Sequence, residues 1–278
     1  MQVTHRNPRG ISGHVMVAVL VLTGGLFMFT SLQRQLIYFP EVAPEAVLLD
    51  AAGRVGMLPW RSGKDELIGW RSHPAGKGAR RLVVFHGNAG YALHRQYFAA
   101  GFLAQGDGWE VYLFEYPGYG ARPGEPSEAG IKAAAADALA ELLAGDPAPL
   151  YLVGESLGSG VASYLAGRFR QQIGGVLLVT PFTSLADVAG EHYGMLPVRA
   201  LLSERFDSVA ALGRYSGPVA FLIAGDDEIV PARLGRSLYD SYQGPKWQFE
   251  QPGAGHNSLD FDPGASWWRE VTAFWRAH

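Results

Sequence analysis

There is no cysteine among the 278 residues of this chain. That absence excludes disulfides, Cys-ligated zinc, iron–sulfur clusters, a thiol nucleophile and the lipidated Cys of a lipoprotein. It leaves the redox compartment open, because a cysteine-free chain suits any. Charge is also scarce: 18% of residues are Asp, Glu, Lys or Arg, and the formal net charge is −3. Without an excess of positive charge there is no electrostatic footprint for nucleic acid, and no such partner is expected. Internal repeats, low-complexity tracts and a second-domain linker are missing too. What is present is 48% hydrophobic residues, which excludes a disordered chain, and enough length to bury a sizeable core.

Formal charge is absent altogether from Ile11 to Leu32, a run of 22 positions with one His. About 20 helical residues cross a bilayer core, so this segment is long enough to span. Arg6 and Arg9 precede it and no acid occurs before Glu41. The positive-inside rule then keeps the N-terminus cytoplasmic and sends the bulk of the chain across, into the periplasm if the source is a Gram-negative bacterium. Arg34, beyond the span, opposes that orientation. A cleaved signal peptide and a buried soluble helix are the alternatives, but the best cleavage site (Thr23, Gly25) would leave Leu26-Phe27-Met28-Phe29 at the new terminus. The expected organisation is a leader and signal anchor over 1–35 and one domain over 36–278. The leader carries +3 and the body −6, a balance that does not favour adhesion to anionic lipids.

In the body, short continuous apolar runs alternate with helical patterns. Strands are predicted at 67–70, 82–85, 111–114, 150–153, 176–179, 219–223 and 246–250. Helices are predicted at 127–144, with Ser127 as cap, and at 158–172, 232–242 and 264–277. This alternation predicts an α/β fold: a mostly parallel sheet covered by helices on both faces.

Gly154-Glu155-Ser156-Leu157-Gly158 follows the run at 150–153 and precedes a helix. In that context G-x-S-x-G is a nucleophile elbow. The sharp turn strains Ser156 and lifts its hydroxyl from the sheet. Its neighbours two residues away must be small so that the chains can pass. The helix N-terminus and the Leu157 N–H then face a developing oxyanion. A second donor is expected in the Gly-rich loop His86-Gly87-Asn88-Ala89-Gly90, with the Asn88 N–H as candidate and His86 as a supporting residue.

Serine needs a base, and the expected chain order is Ser, acid, His. Three consecutive acids, Asp226, Asp227 and Glu228, follow the strand at 219–223. Asp227, four residues before Pro231, is the expected member, with the other two as loop or cap residues. His256, on the Gly-rich loop 253–257 after the last strand, is the expected base. The roll of catalytic candidates is Ser156, Asp227 and His256, with Asn88 and Leu157 as backbone oxyanion donors. This chemistry needs neither metal nor cofactor.

With these residues in hand the chain resembles the α/β-hydrolase superfamily over residues 36–278. More narrowly it is similar to the Bem46-like branch of membrane-anchored serine hydrolases. The likeness rests on the entry sequence 35–40 (Gln-Leu-Ile-Tyr-Phe-Pro), the loop 86–90, Tyr116-Pro117-Gly118-Tyr119-Gly120, the elbow 154–158, the segment 180–185 (Thr-Pro-Phe-Thr-Ser-Leu), the acid loop 227–231 and His256-Asn257. One departure is Ala224 where the branch more often has Gly, the Gly here being shifted to 225. The resemblance implies ester or acyl-thioester hydrolysis, with a lipid or an acylated protein as substrate. Acyltransfer and peptide hydrolysis share the same plan, and a non-catalytic anchored scaffold is the alternative from another class. Residues 180–217 leave room for a small lid. Its apolar residues Tyr193, Met195, Leu196, Leu201, Leu202 and Phe206 either pack on the core or line an acyl site, and packing is the expectation.

Overall fold

The computed structural model describes residues 15–16, 31–76, 78–106, 108–194 and 201–278. The chain divides into two units, Met1–Ile37 and Tyr38–His278. In the first, the described residues 15–16 and 31–37 are helical. The expected membrane span over 11–32 lies almost wholly outside the described residues. Among those described, no helix is long and apolar enough to cross a membrane.

The second unit opens with β1 (Phe39–Pro40), α1 (Glu45–Arg54), β2 (Leu58–Arg61), β3 (Leu67–Arg71) and β4 (Arg80–Phe85). After β4 come β5 (Ala89–Gly90), a 3-10 turn at Ala92–Arg95, α2 (Gln96–Ala104) and β6 (Trp109–Phe114). The centre of the chain supplies α3 (Glu128–Gly145), β7 (Leu150–Glu155), α4 (Leu157–Arg168) and β8 (Ile173–Val179). The remainder is α5 (Leu185–His192), α6 (Ser208–Leu212), β9 (Val219–Ala224), α7 (Ala232–Ser241), β10 (Lys246–Gln251) and α8 (Ser266–Ala277).

Eight strands form one sheet in the order β10-β9-β8-β7-β4-β6-β3-β2. Pairing is parallel from β10 through β6, and β3 runs antiparallel to both its neighbours. The continuous apolar runs follow from burial on both faces. Leu82, Val84, Val111, Leu113, Val153, Leu177 and Leu222 join one core with Leu48 of α1, Phe98 and Phe102 of α2, and Trp268 and Trp275 of α8. The intervening residues Val83, Phe85, Leu152 and Leu178 are equally buried on the opposite face.

The chain leaves β4 towards β6 and then returns to place β7 on the other side of β4. In open α/β sheets, ligands bind at such a reversal, beyond the carboxyl ends of the strands. The loop after β4 and the elbow after β7 meet there.

The predicted helix 158–172 stops at Arg168, and β8 starts at Ile173, ahead of its apolar run. Gly174 and Gly175 belong to the strand because Tyr151 and Trp275 occupy the space beside them. Several elements were not predicted from the sequence, α1, α2, α5, α6 and β2 among them. α2 buries Phe98, Ala99, Gly101 and Phe102, and its exposed residues Gln96, Ala100, Leu103 and Ala104 are apolar but for one, so no polar face stands against the apolar one. β2 contains Pro59 and sits at the sheet edge, where a missing N–H is tolerated. Ser127 caps α3 by accepting the Gly130 N–H at 3.1 Å.

Candidate active site

Ser156 sits between β7 and α4 with φ 51° and ψ −118°, a left-handed conformation that L residues avoid. Its N–H donates to Val179 O at 2.9 Å, which ties the strained turn to β8. The small-residue requirement is visible in the packing. A Cβ at Gly154 would overlap the Gly158 carbonyl and lie 2.7 Å from Ser159 Cα. One at Gly158 would overlap the Phe85 carbonyl and lie 2.7 Å from His86 O. The elbow turns tightly because three backbone segments touch there.

His256, on the loop after β10, places its Nε2 3.0 Å from Ser156 Oγ. Its Nδ1 lies 2.7 Å from Asp227 Oδ2. The other Asp227 oxygen accepts the N–H groups of Ile229 and Val230 at 2.9 and 2.7 Å, so both carboxylate oxygens are engaged. The three acids separate by what they touch. Asp227 is buried and aimed at His256, while Asp226 is exposed and its N–H donates to Ala254 O at 2.9 Å. Glu228 Oε2 accepts the backbone N–H of His256 at 3.2 Å. Backbone hydrogen bonds, its own and that of His256, hold the exposed Glu228 carboxyl below its usual pKa. Of the triad expectation, the structure brings Ser156, His256 and Asp227 into one hydrogen-bonded chain and sets Glu228 behind the histidine loop.

Leu157 is the first residue of α4, so its N–H belongs to the turn that lacks intrahelical acceptors. The loop holding Asn88 reaches the elbow closely: a Cβ at Gly87 would lie 3.6 Å from Ser156 Cβ. His86 is buried and its Nδ1 lies 2.7 Å from Gly87 O. That carbonyl shares a peptide unit with the Asn88 N–H, so the contact fixes which way the N–H points. The Tyr-Pro-Gly-Tyr-Gly segment explains itself here. Tyr116 Oη donates to His86 O at 2.8 Å and Tyr119 Oη donates to Asn88 O at 2.7 Å. A further donor reaches the same carbonyl, the Phe39 N–H at 2.9 Å. The sequence pattern alone did not mark these buried tyrosines as supports of the loop.

Sequence reasoning also missed the residue beside the nucleophile. Glu155 receives Arg95 Nε at 2.9 Å, Arg95 NH2 at 3.2 Å and Tyr97 Oη at 2.8 Å. Burial pushes the Glu155 carboxyl up, but the Arg95 charge and the hydrogen bonds from Arg95 and Tyr97 outweigh it, and the net shift is downward. A charged side chain at the second position of the elbow, directly before the nucleophile, was the available signal.

Of the lid residues, Phe206 is fully buried and packs on Gly160, whereas Tyr193 and Leu201 are exposed. Met195 and Leu196 lie outside the described residues. Among the described residues no group of three or more acidic or His side chains is placed to hold a metal ion.

A family model described as the alpha/beta hydrolase fold matches residues 80–211. An uncharacterized protein of Mycobacterium tuberculosis is 39% identical over 250 residues, covering 87% of each chain. Protein bem46 of Schizosaccharomyces pombe is 33% identical, over 54% of this chain and 52% of its own. The chain belongs to the α/β-hydrolase family, in its Bem46-like branch. Another relative of this Bem46-like hydrolase is the lysophosphatidylserine lipase ABHD12 of Danio rerio, 32% identical over 68% of this chain and 56% of its own. The solved structure of a Pyrococcus furiosus esterase superposes with a TM-score of 0.63 at 14% identity, covering 87% of this chain and 97% of that one. At that identity the likeness concerns the fold.

Proposed function

We propose that this chain is a serine hydrolase that cleaves carboxylic esters or acyl thioesters through an acyl-enzyme on Ser156. The observation that carries the reading is the hydrogen-bonded chain Ser156–His256–Asp227 at 3.0 and 2.7 Å. His256 Nε2 takes the Ser156 proton as Oγ attacks the acyl carbon. Asp227 holds Nδ1–H, which selects the tautomer with Nε2 free to accept, and stabilises the imidazolium that forms. The Asn88 and Leu157 N–H groups take the oxyanion of the tetrahedral intermediate. His256 then returns the proton to the leaving alcohol or thiol, and the same cycle with water releases the acid.

The lipase relative supports an ester of a lipid as substrate, and the apolar segment 11–32 supports a membrane anchor that would bring the enzyme to such substrates. Under this reading the catalytic domain lies on the non-cytoplasmic side.

Labelling with a fluorophosphonate probe tests the reaction. Wild type is labelled and Ser156→Ala is not; equal labelling of both would move the nucleophile elsewhere, and an unlabelled wild type ends the hydrolase reading. For topology, a C-terminal reporter active only in the cytoplasm stays silent, and its activity would reverse the orientation.

A further inference from the structure

The two N–H groups assigned to the oxyanion come from different elements, the loop after β4 and the start of α4. Strands β4 and β7 are paired only as far as Phe85↔Gly154. The sheet ladder therefore stops short of Asn88 and Leu157, and their separation depends on what bridges the gap beyond it. Arg95 lies in that gap. Its Nε and NH2 grip the Glu155 carboxylate, one residue before Ser156, at 2.9 and 3.2 Å. Its remaining terminal nitrogen, NH1, donates to Ala89 O at 3.3 Å, one residue after Asn88. A Cβ at Gly87 would lie 3.3 Å from Arg95 NH2, so the guanidinium packs against the loop backbone itself. Tyr97 completes the cluster. Its hydroxyl donates to Glu155 at 2.8 Å, and its ring packs, tilted by 36°, against Phe261, five residues beyond His256, at a centroid distance of 4.5 Å.

We propose that Arg95 and Glu155 are positioning residues for the hydrolysis, a charged brace that sets the distance between the elbow and the oxyanion loop. The planar guanidinium suits this task, because one fork grips a carboxylate while a further N–H stays available at a fixed angle. Neither residue touches the reacting atoms. Their effect passes through the backbone at Ser156–Leu157 and at Asn88–Ala89. The inference rests on the ester-hydrolase reading of the site.

The test measures p-nitrophenyl acetate hydrolysis, affinity for a trifluoromethyl ketone and thermal midpoint on the full chain. Arg95→Met and Glu155→Gln are each expected to lose about 10²-fold in kcat, the size of a small misplacement of reacting groups, with KM nearly unchanged. Affinity for the ketone, whose adduct carries the oxyanion, falls in parallel. Breaking a largely buried ion pair, with side chains 16% and 12% exposed, also destabilises, so a second variant separates the two effects. Arg95→Met/Glu155→Leu leaves no lone buried charge, and its thermal midpoint recovers relative to Arg95→Met while kcat stays low. The brace is overturned if kcat recovers along with stability, if the losses lie in KM, or if Arg95→Met keeps wild-type kcat and ketone affinity. The hydrolase reading fails separately, through a wild type unlabelled by fluorophosphonate or a Ser156→Ala variant labelled equally, and it takes the brace with it.

Discussion

A side chain added at Gly158 would run into the carbonyls of Phe85 and His86, whereas one added at Gly255 would meet the Glu228 carboxylate at 2.8 Å. The two positions stand for two sides of the same site. On the nucleophile side, β7, α4 and the loop after β4 pack backbone against backbone, on strands with both neighbours paired, and the hydrogen bonds of Arg95, Tyr116 and Tyr119 to that loop are added to this packing. On the acid–base side, Asp227 and His256 stand on loops after β9 and β10, and β10 is an edge strand with half-buried side chains throughout. There the placement depends on side-chain hydrogen bonds: Asp227 with two loop N–H groups and His256, Glu228 with the His256 N–H. Backbone packing resists change in any direction. A side-chain hydrogen bond can be removed singly while its loop keeps its path.

The contrast can be broken or sharpened by substitution. The largest effect belongs to the group both sides share. Ser156→Ala is expected to lower kcat for ester hydrolysis by about 10⁶-fold, and Asp227→Asn by about 10⁴-fold, since the amide holds His256 in the wrong tautomer. Neither change should alter the fold, which the thermal midpoint checks. A loss in Asp227→Asn no larger than that in Glu228→Gln would transfer the acid's role between them.

Next come the glycines. Gly158→Ala places a Cβ against backbone that cannot move aside, and a destabilisation of about 3 kcal/mol is expected from denaturant unfolding. Gly255→Ala meets the far end of a flexible, exposed carboxylate, and the expected cost is under about 1 kcal/mol. Equal costs at the two positions would abolish the distinction between the sides.

The smallest effect is one of pH. Glu155 has its pKa lowered in the folded chain, so its contribution to stability is fully present above the usual 4.5 and is lost as pH falls below that value through the depressed one. Unfolding midpoints recorded from neutral to acid pH should therefore fall more steeply in wild type than in Glu155→Gln. Parallel curves would mean that the Glu155 carboxyl titrates alike in folded and unfolded chains.

Local chemistry made much of this legible in the residues. The runs at 82–85, 150–153 and 219–223 read as strands buried on both faces, and β4, β7 and β9 lie over them. Ser127 showed itself as a cap because an unpaired N–H three residues on needs an acceptor. G-x-S-x-G announced a tight turn because its glycines are a steric requirement of that turn. By contrast α2 was invisible, since its exposed face, Gln96, Ala100, Leu103 and Ala104, is almost as apolar as its buried one and leaves no periodicity to detect. The start of β8 was misplaced because its two glycines serve Tyr151 and Trp275, residues far off in the chain.

What the sequence determined by itself was the set of local conformations: where strands, caps and the elbow fall, and the order Ser, acid, His. These depend on neighbours within a few residues, so the pattern of side chains carries them. Which groups meet was left to the folded chain. Spacing to Pro231 favours Asp227 among three adjacent acids, but it is the turn after β9 that aims Asp227 at His256 and sends Glu228 to the backbone behind it. Likewise Arg95 and Glu155 lie 60 positions apart, and nothing local to either announces the other. Their pairing follows from β4 and β7 lying side by side, a consequence of how the whole sheet is wound.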